Sequence, residues 1–157
     1  EPELTPEDFF YEEGIRLVLI LESAEERLRV IENETKKIGF KPICPSSFKE
    51  ALFRLRSHQF ELVIISDGFD GVSLSRSSVV EYLNSLSMRS RRRMVVAYTA
   101  DAFKTGDAMD AYSLSADLVV KKNDLERLGD ILSHCLAEKD RNYAAFFDAM
   151  AEGGREL

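Results

Sequence analysis

Cysteine is scarce in this chain of 157 residues: Cys44 and Cys135 stand far apart and in no CxxC spacing. That excludes a disulfide framework and a cysteine metal site, and points to a reducing, cytoplasmic setting. No apolar run approaches the ~20 residues that a bilayer-spanning helix requires, so no membrane role is expected. No secretory signal opens the sequence. An initiator Met is also missing, which suggests a processed chain or a piece of a larger protein. Positive charge is in the minority, with 21 Lys and Arg against 28 Asp and Glu and a formal net charge of −7. Such a balance repels a phosphate backbone and argues against nucleic acid as a partner. There are no internal repeats and no low-complexity tract, and no role in transcription in cis is expected. What is present is 45% hydrophobic and 31% charged residues, the make-up of one globular domain plus extensions.

The chain is organised around Glu61–Gly71, ELVIISDGFDG. Leu62-Val63-Ile64-Ile65 is a short β-branched run bounded by turn residues, which reads as a strand buried on both faces. It ends in Ser66-Asp67-Gly68 and then Asp70-Gly71, residues that also dominate ordinary turns. Around it, strands and helices alternate. Ile15–Leu21 predicts the first strand. Ala24–Ile38 predicts a helix with Ser23 as its cap, Glu26 completing a capping box and Gly39 ending it. Phe40–Cys44 is a second strand whose Pro42 suggests a sheet edge. Ser46 or Ser47 caps a helix over Phe48–Ser57, and one of Ser75 to Ser78 caps the next, through Leu86. Arg89, Arg91, Arg92 and Arg93 read as a solvated loop after a helix end, where cations complement the helix dipole. Met94–Tyr98 is the fourth strand, Gly106–Ser115 a short helix and Leu118–Val120 the fifth strand. Asn123 or Asp124 caps the last core helix. Five strand–helix units predict an α/β fold: a parallel sheet in order 2-1-3-4-5, helices on both faces, flavodoxin-like.

In such a sheet the strand tips share one edge, where open α/β folds place their ligand sites. The tips here carry Glu22-Ser23, Ser66-Asp67, Thr99 and Lys121-Lys122. Carboxylates, a hydroxyl and an ammonium group are the parts required for aspartyl phosphorylation. Carboxylates hold Mg²⁺, an Asp attacks phosphorus, and Thr and Lys bind phosphoryl oxygens.

On these residues, from about Ile15 to Glu138, the sequence resembles the response-regulator receiver family of two-component signalling. LILES matches the family's first strand and acidic pair, VVAYTA its fourth strand ending in Thr-Ala, and ADLVVKK its fifth strand ending in Lys. Thr99 and Lys122 carry over as phosphoryl-contact candidates, with Lys121 a neighbour. The departures are specific. The acidic pair is reduced to Glu22 plus Ser23. The acceptor position falls on Ser66 when counted from Glu61, or on Asp67 when the Ser-Asp pair is matched. The Met-Pro of the following loop is replaced by Gly68-Phe69-Asp70. Val119 stands where an aromatic switch residue is expected, and Asn123 replaces the proline after the lysine.

The resemblance implies a signalling module without enzymatic activity, working through protein partners: a histidine kinase or a downstream effector. The first reading is a degenerate pseudo-receiver that is weakly phosphorylated or not at all, with no cofactor or weakly bound Mg²⁺. The alternative is a phospho-accepting receiver that uses Asp67 with Glu22 and Mg²⁺, those two carboxylates being the metal candidates. A third reading is a metal-dependent toprim-like phosphotransfer domain, which wants Asp-x-Asp where this chain has Asp67-x-x-Asp70. A flavin site would require a phosphate-cradling loop after the first strand, and Glu22–Glu26 is too acidic for that. His58 and His134 read as surface or boundary residues.

The domain divides as an acidic N-terminal arm over 1–14, with Phe9, Phe10 and Tyr11 in it, a receiver-like body over 15–138, and a helical extension over 139–157. In the extension Tyr143, Phe146, Phe147 and Met150 recur at i, i+3, i+4 and i+7, one helix face, with Gly153-Gly154 ending the pattern. Such a stripe is expected to be covered, as an interaction surface for a partner or a homodimer.

Overall fold

The computed structural model describes residues 14–155, with side chains of the last helix described up to 142 and at Ala149. Five parallel strands form one sheet in the order β2-β1-β3-β4-β5: β1 is Arg16–Leu21, β2 Phe40–Ile43, β3 Leu62–Ser66, β4 Val95–Ala100 and β5 Leu118–Lys121. Helices α1 (Glu25–Lys37), α2 (Phe48–Ser57), α3 (Ser78–Ser85), α4 (Met88–Arg91), α5 (Ala108–Ser113) and α6 (Leu128–Arg155) connect and flank them. The flavodoxin-like topology is the one expected from the alternation, with β2 and its Pro42 at the edge.

Alternation along the strands sorts the core into two layers. Leu17, Leu19, Leu21, Val63, Ile65, Val96 and Tyr98 bury one face together with Leu83 of α3 and Ala51 of α2. Val18, Ile20, Ile64, Ala97 and Val120 bury the other against Ile31 of α1 and Leu128 and Leu132 of α6. The second layer is pulled tight at Gly129. A Cβ there would stand 3.3 Å from the Glu34 carbonyl oxygen, and the Gly129 N–H donates to Glu34 Oε1 at 3.2 Å. The other oxygen of Glu34 accepts from Lys37 Nζ at 2.7 Å. That bond, together with the one from Gly129, holds the buried carboxyl below its ordinary range, against the opposing effect of burial.

Several local expectations are corrected. Ser23 does not cap α1: Ala24 occupies the cap position with no side-chain bond, and Ser23 Oγ accepts instead from the Asp70 N–H at 3.2 Å. Ser47 does cap α2, accepting from the Glu50 N–H at 3.2 Å, and Ser77 caps α3. The strand β4 runs on through Thr99 and Ala100, because Thr99 is paired with Ser66 across the sheet. Neither Asn123 nor Asp124 caps α6. A 3₁₀ segment over Lys122–Arg127 intervenes, and the Asp124 carboxylate accepts from the Thr105 hydroxyl and from Arg127, both of which pull its pKa below the ordinary value. Gly153-Gly154 does not end the last helix, which continues to Arg155. The Tyr143, Phe146, Phe147 and Met150 side chains, and the arm with Phe9, Phe10 and Tyr11, lie outside the described residues.

Candidate functional site at the strand tips

The register at the end of β3 fixes what faces what. Ser66 is the last strand residue and is paired with Thr99. By alternation both lie on the face covered by α1 and α6. Both are buried, and Thr99 Oγ1 donates to Ser66 Oγ at 2.8 Å. Asp67 comes one residue beyond the strand. Its N–H donates to the Thr99 carbonyl oxygen at 2.8 Å, and its half-buried carboxylate turns into the following loop, where Oδ1 accepts from the Leu74 N–H at 3.0 Å. Lys122 Nζ donates to the Asp67 carbonyl oxygen at 3.0 Å. The ammonium group thus touches the backbone of Asp67, not its carboxylate.

The other tip residues are engaged in the same manner. The Glu22 carboxylate is buried, and Oε1 accepts from the Arg27 guanidinium one turn into α1. Asp70 has a left-handed backbone, φ 56°, which Asp tolerates better than most residues. There its carboxylate accepts from the Phe48 N–H at the start of α2 at 3.1 Å. Phe48 meets the Phe69 ring edge-on at 5.2 Å. The loop after β3 is therefore clamped to the loop after β1 through Ser23 and to the start of α2 through Phe48. Asp67 and Asp70 cap different backbone groups, so they do not converge as a carboxylate pair. Lys121 is exposed, with its N–H on Thr105 Oγ1. Val119 is fully buried, so no aromatic ring stands at that position of β5. Among the described residues, no three or more His, Cys, Asp or Glu side chains group so as to hold a metal ion. Mg²⁺ takes near-octahedral oxygen coordination. Of the two carboxylates that could offer it oxygens, Glu22 is bridged to a cation and Asp67 caps a backbone amide.

Two further side chains were not singled out by the sequence. Arg27 is an ordinary helix residue until the buried Glu22 is seen beside it. Asp117, a turn residue by composition, accepts from the Val96 N–H at 2.8 Å, from Arg91 at 3.0 Å and from Lys139 at 3.3 Å. Arg91 also donates to the carbonyl oxygens of Met94 and Ser115. The arginine knot expected to be a solvated loop thus contains a short helix and one arginine built into the fold. His58 ends α2 and is half-buried, while His134 is exposed on α6 and reaches Glu138 at 3.3 Å, both away from the tips.

Neither a protein-family model nor a curated protein matches the chain. Solved structures do. A CheY-like response-regulator receiver domain from Methylobacillus flagellatus is 20% identical, covers 78% of this chain and 99% of its own, and gives a TM-score of 0.58. A response regulator from Thermotoga maritima is 18% identical, with coverages of 78% and 98% and a TM-score of 0.59. The signal receiver domain of a putative Luxo repressor protein from Vibrio parahaemolyticus is 13% identical, with coverages of 83% and 97% and a TM-score of 0.64. At these identities the likeness is one of fold: the chain has the receiver fold.

Proposed function

We propose that this chain is a receiver-like signalling module that works by binding protein partners and does not depend on aspartyl phosphorylation. The observation that carries the reading is Ser66. It holds the end of β3 opposite Thr99, and its hydroxyl is already bonded to the Thr99 hydroxyl. A serine hydroxyl there provides no carboxylate for attack on phosphorus, and the threonine that would meet a phosphoryl oxygen has another partner. Glu22 held by Arg27 supports the same reading, since a carboxylate neutralised by a guanidinium attracts Mg²⁺ weakly. The partner class is the one receivers of two-component signalling engage, a histidine kinase or a downstream effector.

A second reading has one observation in its favour. Lys122 reaches Asp67, though at the backbone carbonyl, so a modest turn of the Asp67 side chain would bring carboxylate and ammonium together. In that reading Asp67 is the acceptor, with Glu22 and Asp67 on Mg²⁺. Incubation with a small phosphodonor and Mg²⁺, followed by intact-mass analysis, separates the two. An unchanged mass is expected. A stoichiometric gain of one phosphoryl group that disappears on Asp67→Asn would establish the second reading.

A further inference from the structure

At the amino end of the sheet a pocket of about 360 Å³ opens between the ends of α2 and α3, within the range of roughly 300–1,000 Å³ typical of small-molecule sites. Its floor is apolar. Phe60 and Met94, shortly before β3 and β4, are buried, and Leu55, Tyr82 and Leu86 are half-buried beside them. Two guanidinium groups line it, Arg56 from the last turn of α2 and Arg93 from the turn between α4 and β4. The Arg56 guanidinium carbon lies 5.9 Å from the centre of the Tyr82 ring, a cation–π distance that holds the side chain at the wall. Neither arginine is paired with a carboxylate among the described residues, and none of the described residues lining the pocket is acidic. Glu61, next to Phe60, is bonded to Arg16 at 2.6 Å. The rim supplies neutral donors. Gln59 is exposed, and Ser90 Oγ accepts from Ser87 Oγ at 3.1 Å, which leaves the Ser90 hydroxyl proton to donate.

We infer that this pocket binds a small organic phosphate with a flat apolar body, an aryl phosphate in chemical class. A phosphate monoester carries a charge of about −1.5 to −2 at pH 7, which two arginines balance. Each guanidinium also presents paired N–H donors that match phosphate oxygens. An anion with no apolar part leaves the floor of Phe60, Tyr82 and Met94 uncovered. An uncharged ring leaves both guanidinium groups without a counter-charge, and a cation is repelled. Arg56 and Arg93 belong to segments far apart in the sequence, so one phosphate bonded to both ties the end of α2 to the entry of β4. Binding therefore stabilises the folded chain by mass action. It also gives the module a ligand input at the end of the sheet away from the strand tips.

The test uses the full chain, isotope-labelled and titrated with phenyl phosphate. The amide signals of Ser57, Gln59, Ser90 and Arg93 should shift together and saturate, while those of Ser66, Asp67 and Thr99 stay in place. Inorganic phosphate, which lacks the ring, should bind roughly tenfold more weakly. Phenol, which lacks the charge, should give no saturable shift. The Arg56→Gln/Arg93→Gln variant should lose the response to phenyl phosphate at an unchanged urea midpoint. Should that variant fail to fold, thermal unfolding of the unsubstituted chain decides: phenyl phosphate should raise the midpoint, and equimolar sulfate or phenol should not. Equal affinity for inorganic phosphate and phenyl phosphate would overturn the inference, since the arginines would then be a non-specific anion contact. So would a response that the double variant retains. A tyrosine-phosphorylated peptide that binds more tightly than phenyl phosphate would overturn it as well, since the occupant would then be a phosphorylated side chain of a partner.

Discussion

The two edges of the sheet treat their polar residues differently. At the carboxyl edge Ser66, Thr99, Glu22, Asp67 and Lys122 bond one another, backbone groups or Arg27. At the amino edge the bonds run between opposite charges: Asp117 holds Arg91 and Lys139, and Glu61 holds Arg16. The carboxyl edge is where a parallel sheet offers a ligand site, and there the groups of this chain are turned inward. A charged residue in a sequence thus says little about whether it binds a partner or braces the fold. The strand register and the nearest backbone amides decide.

The comparison can be broken most sharply at Asp117. Asp117→Ala removes the acceptor for Val96 N–H and leaves Arg91 and Lys139 facing each other near a desolvated strand end; burial already pushes the Lys139 ammonium below its usual pKa. A loss of about 2–3 kcal/mol in urea unfolding is expected, and a loss no larger than that of a surface substitution would show that the cluster does not brace the fold. At the carboxyl edge, Thr99→Val keeps the shape of the side chain but leaves the buried Ser66 hydroxyl without its partner. That should cost about 1 kcal/mol, read from the same unfolding curves. The smallest effect lies on the same strand. Tyr98 is fully buried, and its hydroxyl has no hydrogen-bond partner among the described residues. Burial pushes its pKa up to about 12. Tyr98→Phe should therefore leave stability unchanged or raise it by up to about 1 kcal/mol, and a clear loss would reveal a partner for the hydroxyl.

The strands themselves were legible from periodicity, because buried parallel strands read as β-branched runs and their turns as Gly, Asp and Ser; their order in the sheet was read from the strand–helix alternation and from Pro42 as an edge residue. Helix ends were legible where a serine sits beside a free amide, as Ser47 and Ser77 do. Ser23 misled because its hydroxyl had a second candidate, the Asp70 amide 47 positions away, which no local pattern contains. For the same reason the arginine knot was read as one solvated loop: the bonds of Arg91 go to Ser115 and Asp117, across the fold. At the site, residue types were visible but their engagement was not. Whether Ser66 or Asp67 faces Thr99 depends on a one-residue register, and the Arg27–Glu22 pair depends on how α1 leaves β1.

The central claim is that the strand tips form a closed edge. It is tested most directly by adding Mg²⁺ and fluoroberyllate, a stable mimic of a phosphoryl group, to the isotope-labelled chain and following the amide signals of Glu22, Asp67, Ala100 and Lys122. The expected result is no saturable shift at any of them at concentrations that fill a competent aspartyl phosphorylation site. A saturable shift of Asp67 and Ala100 together, abolished by Asp67→Asn, would contradict the account.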